Sequence, residues 1–199
     1  MAINIHHPTS LAEALWPRSG IAREAALVLG GSLLVALTAQ VAVTLPFSPV
    51  PVTGQTFGVL LVGALLGSRR GALSLLAYLG EGALGLPVLA GGTGGLARLA
   101  GPTGGYLVGF VAAAFVVGWL GERGWDRRLP TASAAMLLDN AVIYFLGLPW
   151  LARFVGLEQA LTLGLLPFIP GDLLKIALAA LALPGGWILM HQNTCIHSR

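Results

Sequence analysis

Phe168-Ile169-Pro170-Gly171-Asp172-Leu173-Leu174-Lys175-Ile176-Ala177-Leu178 holds the chain's one lysine, three residues after an aspartate and followed by apolar residues as far as Leu183. Either charge buried alone in hydrocarbon costs about 3 kcal/mol or more, so an ionisable pair in such a segment is a functional-site candidate by default. A spacing of three places both groups on one helical face, where they share one polar pocket. The competing structural reading is a helix that starts at Pro170-Gly171, with Asp172 accepting its first N–H groups and Lys175 snorkelling.

The composition around this segment identifies the solvent. Hydrophobic residues make up 56% of the 199, charged residues 10%, and the mean hydropathy is +0.83. That balance lies far from soluble domains and predicts an all-α integral membrane protein of a single domain. The net charge of +3 comes almost entirely from arginines. No basic face with interleaved aromatics accompanies it, so it argues for orientation in a bilayer and against a nucleic-acid partner. A lone cysteine, Cys195, excludes a disulfide framework or a thiolate metal site. Residues 1–20 carry His6, His7, Glu13 and Arg18 where a cleavable signal needs an apolar stretch, so no signal peptide is expected.

Six apolar segments near the roughly 20 residues of a membrane-crossing helix are predicted, at about 23–45, 54–67, 71–87, 104–121, 131–151 and 168–189. Turn residues punctuate them: Pro46-Phe47-Ser48-Pro49-Val50-Pro51, Gly67-Ser68-Arg69-Arg70-Gly71 and Gly121-Glu122-Arg123-Gly124. Residues 157–166 form a short interfacial helix in this reading. The expected organisation is a cytoplasmic segment 1–22, a six-helix substrate-binding domain 23–189 and a cytoplasmic tail 190–199. With both termini inside, the inner connections hold Arg18, Arg23, Arg69, Arg70, Arg123, Arg127, Arg128 and Arg199, against Arg98 and Arg153 outside, which satisfies the positive-inside rule. The proline-rich connection at 46–53, the glycine-rich connection at 87–105 and the stretch before Asp172 then converge on the outer side, around an outward-facing pocket.

A carboxylate at Asp172 suits a flat group with two adjacent N–H donors, because it accepts two parallel bonds. Lys175 supplies a point charge for an anion. Gly91-Gly92-Thr93-Gly94-Gly95 and Gly101-Pro102-Thr103-Gly104-Gly105 frame a connection whose backbone groups can face a ligand, or which is simply a flexible turn. Gln55 follows an outer connection and is a pocket candidate, with Tyr144 weaker. Intramembrane amides and hydroxyls are as often glue between helices. Asp139 is expected in the inner half of the fifth span, away from the site, as a structural residue. Trp119, Trp150 and Trp187 read as interfacial anchors. Histidines occur at 6, 7, 191 and 197, all in the tails, so no metal cluster or His-activated nucleophile falls within the spans and catalysis finds little support. Ala22, Ala26 and Gly30, spaced four apart, make a stripe on which another helix can approach closely, either within the bundle or from a partner.

In this order, Pro51-Val52-Thr53-Gly54-Gln55-Thr56, Leu66-Gly67-Ser68-Arg69-Arg70-Gly71-Ala72-Leu73-Ser74, Gly85-Leu86-Pro87-Val88-Leu89-Ala90-Gly91-Gly92-Thr93-Gly94-Gly95, Gly101-Pro102-Thr103-Gly104-Gly105-Tyr106, Ile143-Tyr144 and Pro170-Gly171-Asp172-Leu173-Leu174-Lys175 resemble the BioY family, the biotin-specific S components of energy-coupling factor (ECF) transporters. The resemblance covers about residues 22–183. It implies the ECF S-component fold in the bacterial cytoplasmic membrane, with biotin bound from outside and delivered with a membrane T component and two ABC-type ATPases. Asp172 then meets the ureido ring beside Lys175, Thr93 lies in the outer glycine loop, and Ala22 and Ala26 resemble the surface that docks the T component. Some relatives carry asparagine where Thr93 stands and arginine where Leu107 stands, which leaves Lys175 or Arg98 to meet the biotin carboxylate. Gly54 and Glu81 look unusual for apolar spans of this family. No cofactor is implied, and without a P-loop the chain relies on its partners for ATP hydrolysis. Three further readings stand beside biotin uptake: an S component for a different vitamin, since fold does not fix ligand, a polytopic membrane enzyme whose carboxylates Asp172 and Asp139 face one cavity, and a purely structural membrane subunit.

Overall fold

The computed structural model describes residues 10–15, 20–178, 183 and 185. The expected ends of the chain, 1–9 and 190–199, much of the sixth segment beyond Leu178, Trp187 and Cys195 lie outside the described residues. Nine helices are described: α1 Leu11–Leu15, α2 Ile21–Gln40, α3 Gln55–Leu66, α4 Ser68–Ala83, α5 Leu96–Ala100, α6 Gly104–Gly121, α7 Leu129–Val155, α8 Leu157–Gly164 and α9 Ile169–Leu178. A two-stranded antiparallel hairpin, β1 Ala42–Val43 and β2 Val52–Thr53, lies between α2 and α3.

The helices α2, α6 and α7 are long and apolar enough to cross a bilayer, and α8 with α9, bent by 45°, makes a fourth candidate span. Burial assigns their places. In α6, 67% of the span is buried, against 28% in α2 and 33% in α7, so α6 is the central helix and the other two carry broad outer faces. Leu29, Leu33 and Leu37 of α2, Leu73 and Leu76 of α4, Phe115 of α6, Phe145 of α7, and Leu173 and Leu174 of α9 are exposed. Such a surface is unfavourable in water and suits lipid. This is a multi-pass membrane protein.

The alternating direction of α2, α3, α4, α6 and α7 sets two ends. The hairpin, the glycine connection with α5, and α8 lie at one end; the Arg69-Arg70 turn and the 3-10 turn Trp125–Arg127 lie at the other. The first segment departs from its expected limits: its helix stops at Gln40, and 42–43 pair with 52–53 instead. Pro46, Pro49 and Pro51 forbid helix continuation there, and the short strands satisfy backbone groups that a loop beside α2 leaves open. The third segment ends at Ala83, ahead of Pro87, and the fifth extends to Leu129–Val155, where Pro130 lies at the start and Gly156, with φ +84°, ends it.

At the opposite end, Gly67 adopts φ +85° and reverses the chain between α3 and α4 in one residue. Glu122, just past α6, then accepts from the Ser68 N–H at 2.7 Å and from its hydroxyl at 2.8 Å, placing a carboxylate at the start of α4. Arg70 holds Glu24 at 2.7 Å and Glu13 at 3.1 Å, tying α1 and α2 to this turn.

Three helices meet almost at backbone contact. A Cβ on Gly63 of α3 would lie 2.7 Å from the Ala114 carbonyl oxygen of α6, and one on Gly71 of α4 would lie 3.1 Å from the Gly63 Cα. Between lipid-embedded helices such approach maximises dispersion contact without help from the hydrophobic effect. Gly63→Val is therefore expected to push α3 off α6 and to destabilise the protein by about 2–3 kcal/mol, read as a lower unfolding temperature in detergent. An unchanged temperature would show that the α3–α6 contact tolerates separation.

Candidate functional site

A cavity opens at the hairpin end. Its apolar wall combines Val50 and Pro51 beside the hairpin, Leu89, the α6 face Tyr106, Leu107 and Phe110, Ile143 of α7 and Phe168. Its polar groups come from five places: Thr53, Gln55 and Thr56 at the start of α3, Thr93 of the glycine connection, Arg98 of α5 and Thr103 beyond it, Tyr144 of α7, and Lys175 of α9. Of the residues singled out from sequence, Gln55, Thr93, Arg98, Tyr144 and Lys175 thus share one cavity.

Asp172 is buried at 6% exposure and sits behind that wall, outside the lining itself. Tyr144 donates its hydroxyl proton to one carboxylate oxygen, and Lys175 Nζ lies 3.5 Å from the other. Lys175 also donates to the Thr53 carbonyl oxygen and to Thr56 Oγ1, each at 2.8 Å. One ammonium therefore joins α9 to the end of the hairpin and to the first turn of α3, and the pair is more than a cap with a snorkelling lysine. Gln55, 4% exposed, donates to the Tyr78 hydroxyl and accepts from Thr53 Oγ1 at 3.0 Å. Thr93 donates to the Ala90 carbonyl oxygen at 3.0 Å, within a turn closed by the Leu89 N–H to Thr93 carbonyl bond of 2.9 Å.

The glycine connection is held rather than loose. The Gly91 N–H bonds to the Ala39 carbonyl oxygen at 3.2 Å and the Gly95 N–H to that of Gly82 at 2.7 Å. Trp150 does not behave as a simple interfacial anchor: its indole donates inward to the Gly101 carbonyl oxygen at 2.8 Å. Trp119 is exposed, with the Arg123 guanidinium stacked on its ring. Gly54 and Glu81 both have structural reasons. A Cβ on Gly54 would lie 2.7 Å from the Thr38 carbonyl oxygen, and Glu81 accepts from Ser32 Oγ at 2.7 Å, bridging α2 and α4.

Asp139 corrects an expectation. It is 1% exposed, neither carboxylate oxygen has a hydrogen-bond partner among the described residues, and it interacts electrostatically with both Asp172 and Lys175. It is not remote from the pair, because it sits one turn before Ile143 on the inward face of α7. It does not line the cavity.

Tyr106 was legible only as part of a glycine-flanked motif, yet it shapes the site. Its hydroxyl donates to the Gly164 carbonyl oxygen at 2.9 Å, and its ring meets Tyr144 edge-on at 6.4 Å. Its spacing of four from Phe110 on the central helix was the available signal. At the far end of α2, Ala22, Ala26 and Gly30 are exposed, and nothing lies within 4 Å of a Cβ built on Gly30.

The geometry agrees with what the chain resembles. The BioY family model matches residues 8–192. A biotin transporter BioY of Rhizobium etli is 44% identical over 77% of this chain and 86% of its own length. A probable biotin transporter BioY of Pyrococcus horikoshii is 48% identical over 80% and 93%. Among solved structures, the S-component for biotin from an ECF-type ABC transporter superposes with a TM-score of 0.68 at 26% identity, covering 84% of this chain and 93% of that one. A model match over nearly the whole chain, with a shared fold beneath it, places this chain in the BioY family.

Proposed function

We propose that the chain is a biotin-binding S component of an ECF-type transporter in the cell membrane, which takes biotin at the hairpin end and mediates its uptake. What favours biotin over another vitamin is the likeness to relatives named biotin transporters at 44% and 48% identity. Biotin has a flat ureido group at one end, a carboxylate at the other and apolar matter between, and the cavity at the hairpin end pairs apolar walls with a few convergent polar groups.

In this reading the hairpin end is extracytoplasmic, the arginine-bearing turns and both termini are cytoplasmic, and α3 and α4 complete six membrane-embedded segments. Asp172 accepts the ureido N–H groups. Tyr144 already donates to that carboxylate from the cavity wall, so the ligand's N–H takes over an existing acceptor instead of desolvating a fresh one. Gln55 and Thr93 complete the polar surround, and the connection containing Phe47 closes over the mouth, excluding water and strengthening the polar contacts. Ala22, Ala26 and Gly30 form the face that docks a membrane T component, and two ABC-type ATPases supply the energy. The chain is a transport component and not an enzyme.

Equilibrium binding of labelled biotin to the purified full-length protein, with excess thiamine or riboflavin as competitor, tests the ligand. Saturable binding displaced by unlabelled biotin alone is expected. No biotin binding, or displacement by another vitamin, overturns the reading.

A further inference from the structure

Two cations are available at the cavity for a ligand's anionic end, and their surroundings separate them. Lys175 has three ammonium protons, and the Thr53 carbonyl oxygen, Thr56 Oγ1 and the Asp172 carboxylate take them. Drawing it to a second carboxylate would break the junction between α9, the hairpin and α3. Arg98 is exposed and lines the cavity, and among the described residues its guanidinium has neither an ion pair nor a hydrogen bond. Its hydrogen bonds run through the backbone: its N–H donates to the Gly95 carbonyl oxygen at 3.1 Å, and its carbonyl oxygen accepts from the Gly101 N–H at 3.3 Å and from Thr103 Oγ1 at 3.5 Å.

Arg98 is also well placed. α5 is fastened before its first residue by the Gly95 N–H to Gly82 carbonyl bond, and after its last by the Trp150 indole on the Gly101 carbonyl oxygen. The neighbouring cation on that rim, Arg153, lies over the Trp150 ring at 5.3 Å and does not line the cavity. No aspartate or glutamate lines the cavity among the described residues, so nothing there competes for the guanidinium.

We infer that Arg98 is the specificity determinant for the ligand's carboxylate, and that α5 makes the chain prefer an anionic tail over a neutral one. The inference rests on the biotin reading. A guanidinium offers two parallel N–H bonds to a carboxylate, whereas a carboxamide can accept with only one oxygen and carries no charge.

The test is equilibrium binding of biotin and of biotinamide, its neutral carboxamide, to purified full-length wild type, Arg98→Ala and Arg98→Lys, with the unfolding temperature of each read separately. Wild type is expected to favour biotin by about tenfold, the scale of a charge-assisted bond at a partly wet site. In Arg98→Ala the ratio should fall to about one, through loss of biotin affinity, and Arg98→Lys should keep part of it. A wild type that binds both ligands equally, or an Arg98→Ala variant that keeps the wild-type ratio, overturns the inference while leaving biotin as the ligand. A wild type that binds neither overturns the biotin reading, and this inference falls with it.

Discussion

Asp172→Asn is expected to lower biotin affinity by about a hundredfold, more than any other single change at or behind the cavity wall. A ureido group presents two adjacent N–H donors, and a carboxylate accepts both as charge-assisted bonds worth about 1.5–3 kcal/mol each. Asparagine keeps one acceptor oxygen, but its amide nitrogen repels an N–H donor and its charge is gone. The fold should survive. Lys175 retains the Thr53 carbonyl oxygen and Thr56 Oγ1 at 2.8 Å, and the Tyr144 hydroxyl can still donate to the remaining amide oxygen. The prediction is thus a large binding loss with a small change in unfolding temperature, measured on the same preparation. Biotin affinity within twofold of wild type would remove Asp172 from the site.

Legibility from sequence followed the range of the interactions involved. The limits of α6, Gly104–Gly121, were readable because an apolar run closed by glycines is a local signal. The pairing of Asp172 with Lys175 at 3.5 Å was readable because helical geometry brings positions three apart to one face. The hairpin was not, since two residues on each side carry no periodic pattern, and Ala42 and Val43 look like the continuation of an apolar helix. Asp139 was misplaced because depth along a 27-residue helix says nothing of what the adjacent helix brings alongside. Thr53 and Thr56 went unrecognised as lysine partners for the same reason, being more than a hundred residues away in sequence. The choice between Lys175 and Arg98 needed the full set of ammonium acceptors, a tertiary property that no motif records.

Lys175→Met is the second change expected to have a large effect, and it should act on folding as well as on binding. The ammonium is the meeting point of α9, the hairpin and α3, and its side chain is 18% exposed against 9% for that of Asp172. Removing it leaves a buried carboxylate with the Tyr144 hydroxyl as its remaining close donor among the described residues, and Asp139, another carboxylate, nearby. Breaking one side of a buried pair costs about 3–5 kcal/mol, because the partner is stranded without its counter-charge. The unfolding temperature in detergent should drop markedly and biotin binding should weaken with it. Replacing both partners isolates the cause: Asp172→Leu combined with Lys175→Met removes the stranded charge, so stability should return most of the way while binding stays lost. If the double variant is as unstable as Lys175→Met alone, the ammonium's bonds to Thr53 and Thr56, rather than its charge balance with Asp172, hold α9 against the hairpin.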